Sequence, residues 1–423
     1  MRFKTTALLS SLFVCVLAIT GCSNDDEKSL SPLKEKTYDS SSGLSMYYNG
    51  NPIPGKTVEI IPEANSAKIK VYSIFNLDQL SALGLSGEIN GPGVLPGTPV
   101  WEKEVTLSPS DGYWEFTGAD ATDYCSFSYA GYANESELKF YISDAKLNFT
   151  LPVTYWKPAP IVKTVDSSYS SYPLFFTWDF EPLPNVDINF TPLVQELLTS
   201  PIIPDNTGSK VSLGELFSQV IKGISMLPDG NILFDYINTV GGAPFIAQTD
   251  LNRFQYVVAT QNVLKIYPDP MTVLGMYLVA SSGGTPADEV NLTGTGLFPS
   301  GKVSDNSGNT VFTDSPLIMG LIKVMLRTFL SQCANGFPFA FTTSEEGCRI
   351  YIDTPIMIGI AKALLETATE EPQITDLINE YLQSNPEFAQ LLPDLKTLLT
   401  ILSQAIEHTN KMQLGVVLIP SNS

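Results

Sequence analysis

The sequence predicts a two-domain protein, with an all-β first domain (a sandwich or a partial barrel) and an α+β second domain. Between residues 38 and 156, short segments alternate apolar and polar residues between Gly, Pro and Asn. From residue 173 to 423, strand-like segments run into helical segments that begin with proline, and other strands pair as antiparallel hairpins. A chain of 423 residues also exceeds one ordinary core, which favours two domains.

The N-terminal segment predicts export. Basic residues Arg2 and Lys4 precede the apolar run ALLSSLFVCVLAIT, which is typical of a signal peptide over residues 1–21. The sequence ITGC, residues 19–22, is similar to the lipobox of bacterial lipoproteins. This resemblance implies cleavage before Cys22 and attachment of lipid to it, which anchors the chain in a membrane. The alternative is an ordinary cleaved signal peptide with an incidental cysteine.

Residues 22–37 are predicted to be a flexible acidic tether. Within it, Asp25, Asp26 and Glu27 resemble the export signal that Bacteroidota place on lipoproteins bound for the outer leaflet. The resemblance implies an outer-membrane protein, held by its N-terminal lipid, that faces the cell exterior. The alternative is that these acids only solvate the tether.

The first domain is predicted to consist of half-buried antiparallel strands, because its segments alternate with period two. Strands are expected in SGLSMYYNG, KTVEIIP, AKIKVYSIF, PVWEKEVTL, GYWEFTG, SFSYAGYA and ELKFYISD. One helical-looking segment, LDQLSALGL, interrupts them. The following segment WKPAPIVKTVDSSYSSY loses all periodicity and predicts a linker over residues 157–172.

The second domain repeats a strand–cap–proline–helix unit, in which the proline occupies the first helical position. The helical segments are FTPLVQELL, PDPMTVLGMYL, DSPLIMGLIKVML and DTPIMIGIAKALL, with Thr191, Asp269, Ser315 and Thr354 as expected N-caps. Hairpins are expected in LPDGNILFDYI, RFQYVVATQNVLKIY and FPFAFTTSEEGCRIY, and a closing strand in QLGVVLIP.

Two of these helices are apolar around most of their circumference. The exception is a narrow stripe of Gly, Lys and a second charge, formed by Gly320, Lys323 and Arg327 in one helix and by Gly359, Lys362 and Glu366 in the other. Such helices are predicted to be buried on nearly every side.

The charge balance bears on partners. The chain has 24 Lys+Arg and 44 Asp+Glu, a net charge of −20. Loss of Arg2 and Lys4 with the signal peptide leaves 22 against 44, a net charge of about −22. Such a surface repels nucleic acid and anionic lipid headgroups, so we expect no polyanionic partner.

Three cysteines follow the predicted lipid site. In an oxidising envelope Cys333 and Cys348 could close a short loop by a disulfide, which would stabilise the fold by ~3 kcal/mol. Because Cys125 makes the count odd, buried free thiols are the alternative.

The sequence shows no strong catalytic motif and predicts no cofactor and no metal site. The single histidine, His408, lies late in an amphipathic helix, where it more often serves the helix dipole or the surface. The segment SDNSGNT offers only Asp305 for a Ca²⁺ loop and is predicted to be a turn. Glycoside hydrolysis needs only two carboxylates, and the candidates are Asp179 with Glu181 and Asp229, all of which fit turns or edges better.

Aromatic side chains could stack on sugar rings. The candidates for glycan stacking are Trp101, Tyr113, Trp114, Trp156 and Trp178, of which Trp101, Trp114 and Trp156 are favoured. Since Trp101 and Trp114 lie in alternating strands, a place in the core is the alternative.

The ITGC motif, the opening YYNGNPIPGKTVEI and the hairpins LPDGNILFDYI and FPFAFTTSEEGCRIYID together resemble a family of Bacteroides-type outer-membrane lipoproteins of unknown function. The resemblance covers most of the mature chain but brings no activity and no site residues. We therefore expect a non-enzymatic binding or scaffold module for a glycan or an apolar molecule, of unknown oligomeric state. The alternative is a carboxylate-based glycoside hydrolase.

Overall fold

The structure is a computed structural model of the chain. The described residues are 32–76, 87–151, 153–165, 168–184, 189–201, 203–204, 210–238, 245–270, 332–344, 346–370 and 395–421, with Thr272, Thr328 and Leu330. The predicted signal peptide, Cys22, the acidic residues 25–27, LDQLSALGL, Asp305 and the helix predicted over 316–327 lie outside these residues.

The first region is a sandwich of two sheets. Sheet I contains, in spatial order, β1 (Lys36–Tyr38), β4 (Thr57–Glu63), β5 (Ser66–Tyr72) and β8 (Trp101–Thr106). Sheet II contains β3 (Asn51–Pro52), β2 (Leu44–Tyr48), β12 (Leu138–Leu147), β11 (Cys125–Ala133), β10 (Tyr113–Ala121) and β9 (Ser108–Ser110). A separate pair is formed by β6 (Ile74–Asn76) and β7 (Glu88–Asn90). The β-rich first region is thus confirmed.

One pairing in sheet II differs from the antiparallel expectation. Strands β2 and β12 are parallel, with Tyr47 opposite Tyr141. Between β2 and β12 the chain forms β4, β5 and β8 of sheet I and then β9, β10 and β11 of sheet II, and a connection of this length permits parallel pairing.

The alternation predicted from the sequence produces the sandwich core. In β4 and β5 every second residue is buried, including Ile60 and Ile69, which are at most 1% exposed. Sheet II contributes Phe116 and Phe140, and the Trp101 ring of sheet I lies 6.0 Å from the Phe140 ring. Buried aromatic rings of this size remove large apolar areas from water, which stabilises the sandwich.

The second region is built on one large antiparallel sheet, sheet III. Its strands are β13 (Tyr155–Pro158), β16 (Leu174–Phe180), β19 (Ile221–Met226), β20 (Ile232–Asn238), β21 (Phe245–Gln248), β22 (Phe254–Thr260), β23 (Val263–Pro268), β24 (Phe337–Thr343), β25 (Cys348–Ile352) and β26 (Thr409–Pro420). The spatial order is β21-β20-β19-β13-β26-β25-β24-β23-β22, and β16 also pairs with β26. The three predicted hairpins and the closing strand are confirmed.

Strand β26 organises sheet III. One of its edges pairs with β25, and the other is shared, because β16 pairs with residues 409–416 and β13 with residues 418–420. Between these two partners lie β14 (Val162–Lys163) and β15 (Tyr169–Ser171), within the segment predicted as a linker. The predicted boundary after residue 156 falls inside β13.

Helices cover sheet III on one side. They are α1 (Phe190–Thr199), α2 (Leu213–Val220), α3 (Thr354–Glu370) and α4 (Leu395–Glu407), and a short pair of strands, β17 (Ile203–Pro204) and β18 (Lys210–Val211), separates α1 from α2. Met357 and Ile360 of α3 pack in one cluster with Ile401 of α4 and Phe176 of β16. The α+β character of the second region is confirmed.

Three of the four predicted N-caps lie in the described residues, and one of these three is correct. Asp269 accepts a hydrogen bond from the Thr272 amide at 2.9 Å, as an N-cap does. At α1 the cap is Asn189, whereas Thr191 exchanges hydrogen bonds with the Trp178 backbone. Helix α3 already includes Thr354. In α1 the neighbouring Asn189 therefore caps the helix, because the Thr191 side chain is engaged in a tertiary contact with Trp178.

The exposed stripe predicted for the second apolar helix is confirmed. In α3 the exposed residues up to 366 are Pro355, Gly359, Lys362 and Glu366, which follow one another at helical spacing. The corresponding stripe from Gly320 to Arg327 lies outside the described residues.

The sandwich and sheet III share one apolar cluster, which includes Ile60 and Phe116 of the sandwich and Ile224 and Leu264 of sheet III. The backbone links them as well, since the Leu147 amide donates to the Pro228 carbonyl at 2.8 Å. The two regions are therefore continuous through a buried core.

Candidate functional site

The open face of sheet II carries a group of partly exposed tyrosines. In β11, Phe127, Tyr129 and Gly131 point into the core, so Ala130 and Tyr132 point outwards. The same alternation in the neighbouring strands turns Tyr47, Lys139 and Tyr141 outwards. We call Tyr47, Tyr113, Ala130, Tyr132, Lys139 and Tyr141 the tyrosine face.

Strand register brings the tyrosine face together from four strands. Tyr141 of β12 lies opposite Tyr47 of β2 on one side and opposite Ala130 of β11 on the other. Tyr132 lies opposite Lys139 in the adjacent row. Directly opposed residues have Cβ atoms about 5 Å apart, so these side chains touch.

The rings form an ordered array. Tyr47 and Tyr141 are stacked with centroids 5.0 Å apart and an interplanar angle of 8°, and Tyr132 meets Tyr141 edge-on at 6.2 Å and 83°. Because each ring restricts the rotation of its neighbour, a ligand that contacts them would lose little side-chain entropy on binding.

Polar groups lie at one end of the array. The Tyr113 hydroxyl donates to the Glu137 carboxylate, and this hydrogen bond raises the pKa of Tyr113. The Lys139 ammonium lies 3.8 Å from the same carboxylate and 5.5 Å from the centroid of the Tyr113 ring. Both charged groups are partly exposed, so the pair contributes little to stability and remains accessible to a ligand.

The tyrosine face contains an open depression. Its volume is about 490 Å³, and it is lined by Tyr113, Ala130, Tyr132, Lys139 and Tyr141. Ala130 is the smallest of these residues and leaves the space that its larger neighbours enclose. Apolar ring surfaces with a few polar groups are the usual lining of a small-molecule site.

The tryptophans predicted to stack on glycans are not at this face. Trp101 is 5% exposed, Trp156 is 2% exposed and Trp178 is 7% exposed, so the prediction is wrong for all three. The Trp101 indole donates to Asp120 at 3.0 Å while its ring packs on Phe127. Trp114 is only partly buried, but it packs against the core cluster. The core alternative holds because these positions have the inward parity of their strands.

Of the two alternatives left open for the cysteines, the structure has buried free thiols and no Cys333–Cys348 disulfide, because Cys125, Cys333 and Cys348 are free and buried. The Cys333 thiol lies 3.2 Å from the Asn90 carbonyl, whereas Cys348 is in β25 opposite Leu418. Burial raises the pKa of the Cys333 and Cys348 thiols to about 11, which keeps them protonated and unreactive at neutral pH.

The carboxylates considered for hydrolysis serve other contacts. Asp229 accepts hydrogen bonds from the Asn231 amide at 3.0 Å and from the Asn49 side chain at 3.3 Å, which fixes the turn between β19 and β20. Glu181 lies 3.6 Å from the His408 ring, and both side chains are more than half exposed. Asp179 is exposed on β16. None of these residues lines the depression.

Within the described ranges, no group of three His, Cys, Asp or Glu side chains is placed to hold a metal ion. No helix in the same part of the chain combines the length and apolar character that crossing a membrane requires. Comparisons with protein-family models, with curated proteins and with solved structures gave no match.

Sequence reasoning named Tyr113 but missed the other members of the tyrosine face, although a signal for them was present. Tyr129 and Tyr132 are three residues apart in one strand, so their side chains must lie on opposite faces of the sheet. One of them is therefore turned away from the core. The neighbours of that outward ring depend on strand register, which the sequence does not provide.

Proposed function

We propose that the chain is a non-enzymatic, lipid-anchored outer-membrane protein that binds a glycan at the tyrosine face. The observation that carries the proposal is the array of tyrosine rings around the Ala130 depression. A pyranose ring presents a face of C–H groups to an aromatic ring, and its hydroxyls need hydrogen-bond partners at the edge of the site. The tyrosine hydroxyls, Lys139 and Glu137 supply such partners.

The openness of the depression favours a glycan over an apolar molecule. An apolar ligand gains most when a cavity removes it from water on all sides. The Ala130 depression is instead bounded by partly exposed residues. An extended glycan can pass across such a surface and leave its outer hydroxyls hydrated.

The position of the tether fits a surface-exposed receptor. Leu33 is buried in the sandwich core, and Lys34 forms an ion pair with Glu135 at 2.9 Å, two residues from Glu137 at the edge of the tyrosine face. Residue 33 is eleven positions beyond Cys22, so a fully extended tether spans at most about 40 Å. A lipid at Cys22 would thus hold the tyrosine face within reach of the cell surface.

The proposal is tested by filling the depression. Full-length protein is screened on an array of neutral glycans, and binding of the strongest ligand is then measured for Ala130→Trp. The matched control is Ser126→Trp, which introduces the same side chain on the same face of the same strand at an exposed position. We expect Ala130→Trp to lose at least about tenfold in affinity and Ser126→Trp to bind as the unmodified protein does.

Two results would contradict the proposal. Equal affinity of the two variants would show that the ligand does not enter the depression. Release of reducing ends from the bound glycan would show an enzyme and would support the carboxylate-based alternative instead.

A further inference from the structure

The outward face of sheet III carries a second group of aromatic and charged side chains. At the centre, Gly415 of β26 lies between Phe175 of β16 and Tyr351 of β25. Two positions further along β26, Val417 lies opposite Arg349. Leu414 and Leu418 point into the apolar clusters, so the odd-numbered positions of β26 and their partners point away from them.

The contacts within this group are specific. The Phe175 and Tyr351 rings meet edge-on with centroids 5.8 Å apart, and the Arg349 guanidinium lies 5.3 Å from the Phe175 centroid. A Cβ at Gly415 would lie 2.4 Å from the Tyr351 Cβ, so only glycine fits between the rings. Aromatic rings beside a strand glycine also stabilise sheets.

A second cation extends the group. Lys157 of β13 lies opposite Ile419, and its ammonium is 6.0 Å from the Tyr155 ring. We call Tyr155, Lys157, Phe175, Arg349 and Tyr351 the cation–aromatic face.

Both cations of the cation–aromatic face lack a neutralising partner among the described residues. Lys34, Lys68 and Lys103 each form an ion pair with a carboxylate, whereas neither Lys157 nor Arg349 does. Both side chains are exposed. The Asp235 carboxylate accepts a hydrogen bond from the Tyr155 hydroxyl at 2.8 Å at one end of the face, and the two cations outnumber it. Within the ~8 Å Debye length at physiological salt, a ligand responds to these charges more than to distant acids.

We propose that the cation–aromatic face binds a sugar acid, meaning a glycan that ends in one carboxylate-bearing sugar. Arg349 donates to the carboxylate through its planar fork, Lys157 adds a second positive charge, and the sugar ring packs on Phe175 and Tyr351. A polyanion is disfavoured because the net charge of −20 opposes it beyond this face. This site lies on a different sheet from the tyrosine face and shares with it only the glycan class of ligand.

The test compares one sugar acid with its uncharged form. Binding of sialyllactose and of sialyllactose methyl ester to the full-length protein is measured by isothermal titration calorimetry. We expect the acid to bind at least about tenfold more tightly than the ester and Arg349→Gln to abolish this preference. Arg349→Lys keeps the charge without the fork and should retain part of it. The control Lys68→Gln removes one exposed positive charge from sheet I and should leave the preference intact.

The outcomes separate this site from the tyrosine face. The proposal is overturned if Arg349→Gln and Arg349→Lys, confirmed as folded by circular dichroism, both keep the full preference for the acid. It is also overturned if the unmodified protein binds acid and ester equally or binds neither. A preference that disappears in Ala130→Trp would place the sugar acid at the tyrosine face. A preference that survives in that variant supports the separate site, even if neutral glycans fail to bind.

Discussion

A buried lysine makes the stability of this protein depend on pH. Lys56 is only 6% exposed, and its ammonium donates to the Pro92 carbonyl at 2.7 Å. Burial lowers the pKa of Lys56 from its ordinary value of 10.5 to about 8, and the nearby Asp269 and Cys333 oppose this shift only in part. Asp269 is itself buried and lies 3.7 Å from Arg253, which weakens its effect on Lys56.

The sign and size of the effect follow from proton binding. Between pH 8 and 10.5 the unfolded chain keeps the Lys56 proton while the folded chain has released it, so the free energy of unfolding rises with pH. A shift of about 2.5 units corresponds to ~3 kcal/mol in total at 1.36 kcal/mol per unit. Of this, about 2 kcal/mol appears between pH 7.5 and 9.5. Below about pH 7 the whole free-energy cost of burying the charged Lys56 side chain is present.

The comparison uses Lys56→Met, which keeps the unbranched shape and most of the length of the side chain but cannot titrate. Leaving the Pro92 carbonyl without its donor costs about 1–3 kcal/mol at every pH, so the informative quantity is the difference between the two pH profiles. Urea unfolding is followed by tryptophan fluorescence, since Trp101 and Trp156 are buried. From pH 7.5 to 9.5 we expect the unmodified protein to gain about 2 kcal/mol relative to Lys56→Met.

Most other groups do not create this difference. Burial raises the pKa values of Cys348 and Tyr256, which lowers stability at alkaline pH equally in both proteins. Cys333 is the exception, because the Lys56 ammonium opposes the rise that burial causes in the pKa of its thiol, so part of the difference between the two profiles comes from this pair. As a control, Lys68→Met removes an exposed lysine whose pKa is raised by the hydrogen bond to Glu102, and its profile should run parallel to that of the unmodified protein. Parallel profiles for Lys56→Met would refute the reasoning, because Lys56 would then not be desolvated in the folded state.

Two further predictions concern the anchor and the helical core. Cys22→Ser should give a protein that is not lipidated and no longer partitions with membranes, and unchanged partitioning in a cell-fractionation experiment would refute the anchor. Met357→Asp should place an unpaired charge in the cluster between α3 and sheet III and destabilise the fold by several kcal/mol. The matched change Lys362→Ala on the exposed stripe of α3 should alter the melting temperature little, and equal effects of the two changes would contradict the packing of this helix.

Much of the fold could be predicted because its signals are local. Alternation in β4, β5 and β11 gives both the strands and the faces that they bury. Hairpins such as β24–β25 join adjacent segments, so their pairing follows from short turns. The exposed stripe of α3 could be read from the spacing of Gly359, Lys362 and Glu366.

The remaining features depend on contacts between distant residues. Strand β2 pairs with β12, and β26 pairs with β13. The two strands of each pair are far apart in the sequence. No local pattern specifies such partners, because their register is set by which side chains meet in the core. For the same reason the sequence could nominate Trp101 and Trp156 as stacking residues but could not show that both lie on the buried side.

The continuity between the two regions bears on how the two proposed surfaces would act. Tyr48 of sheet II donates to the Asp229 carbonyl at 2.5 Å, and Gln255 of sheet III donates to the Val94 carbonyl at 3.4 Å. These buried contacts and the shared apolar cluster join the sandwich to sheet III without a free linker. Two sites fixed on one body can engage one branched glycan only at a single separation. A ligand of matching span would gain avidity, whereas shorter glycans would occupy the tyrosine face and the cation–aromatic face independently.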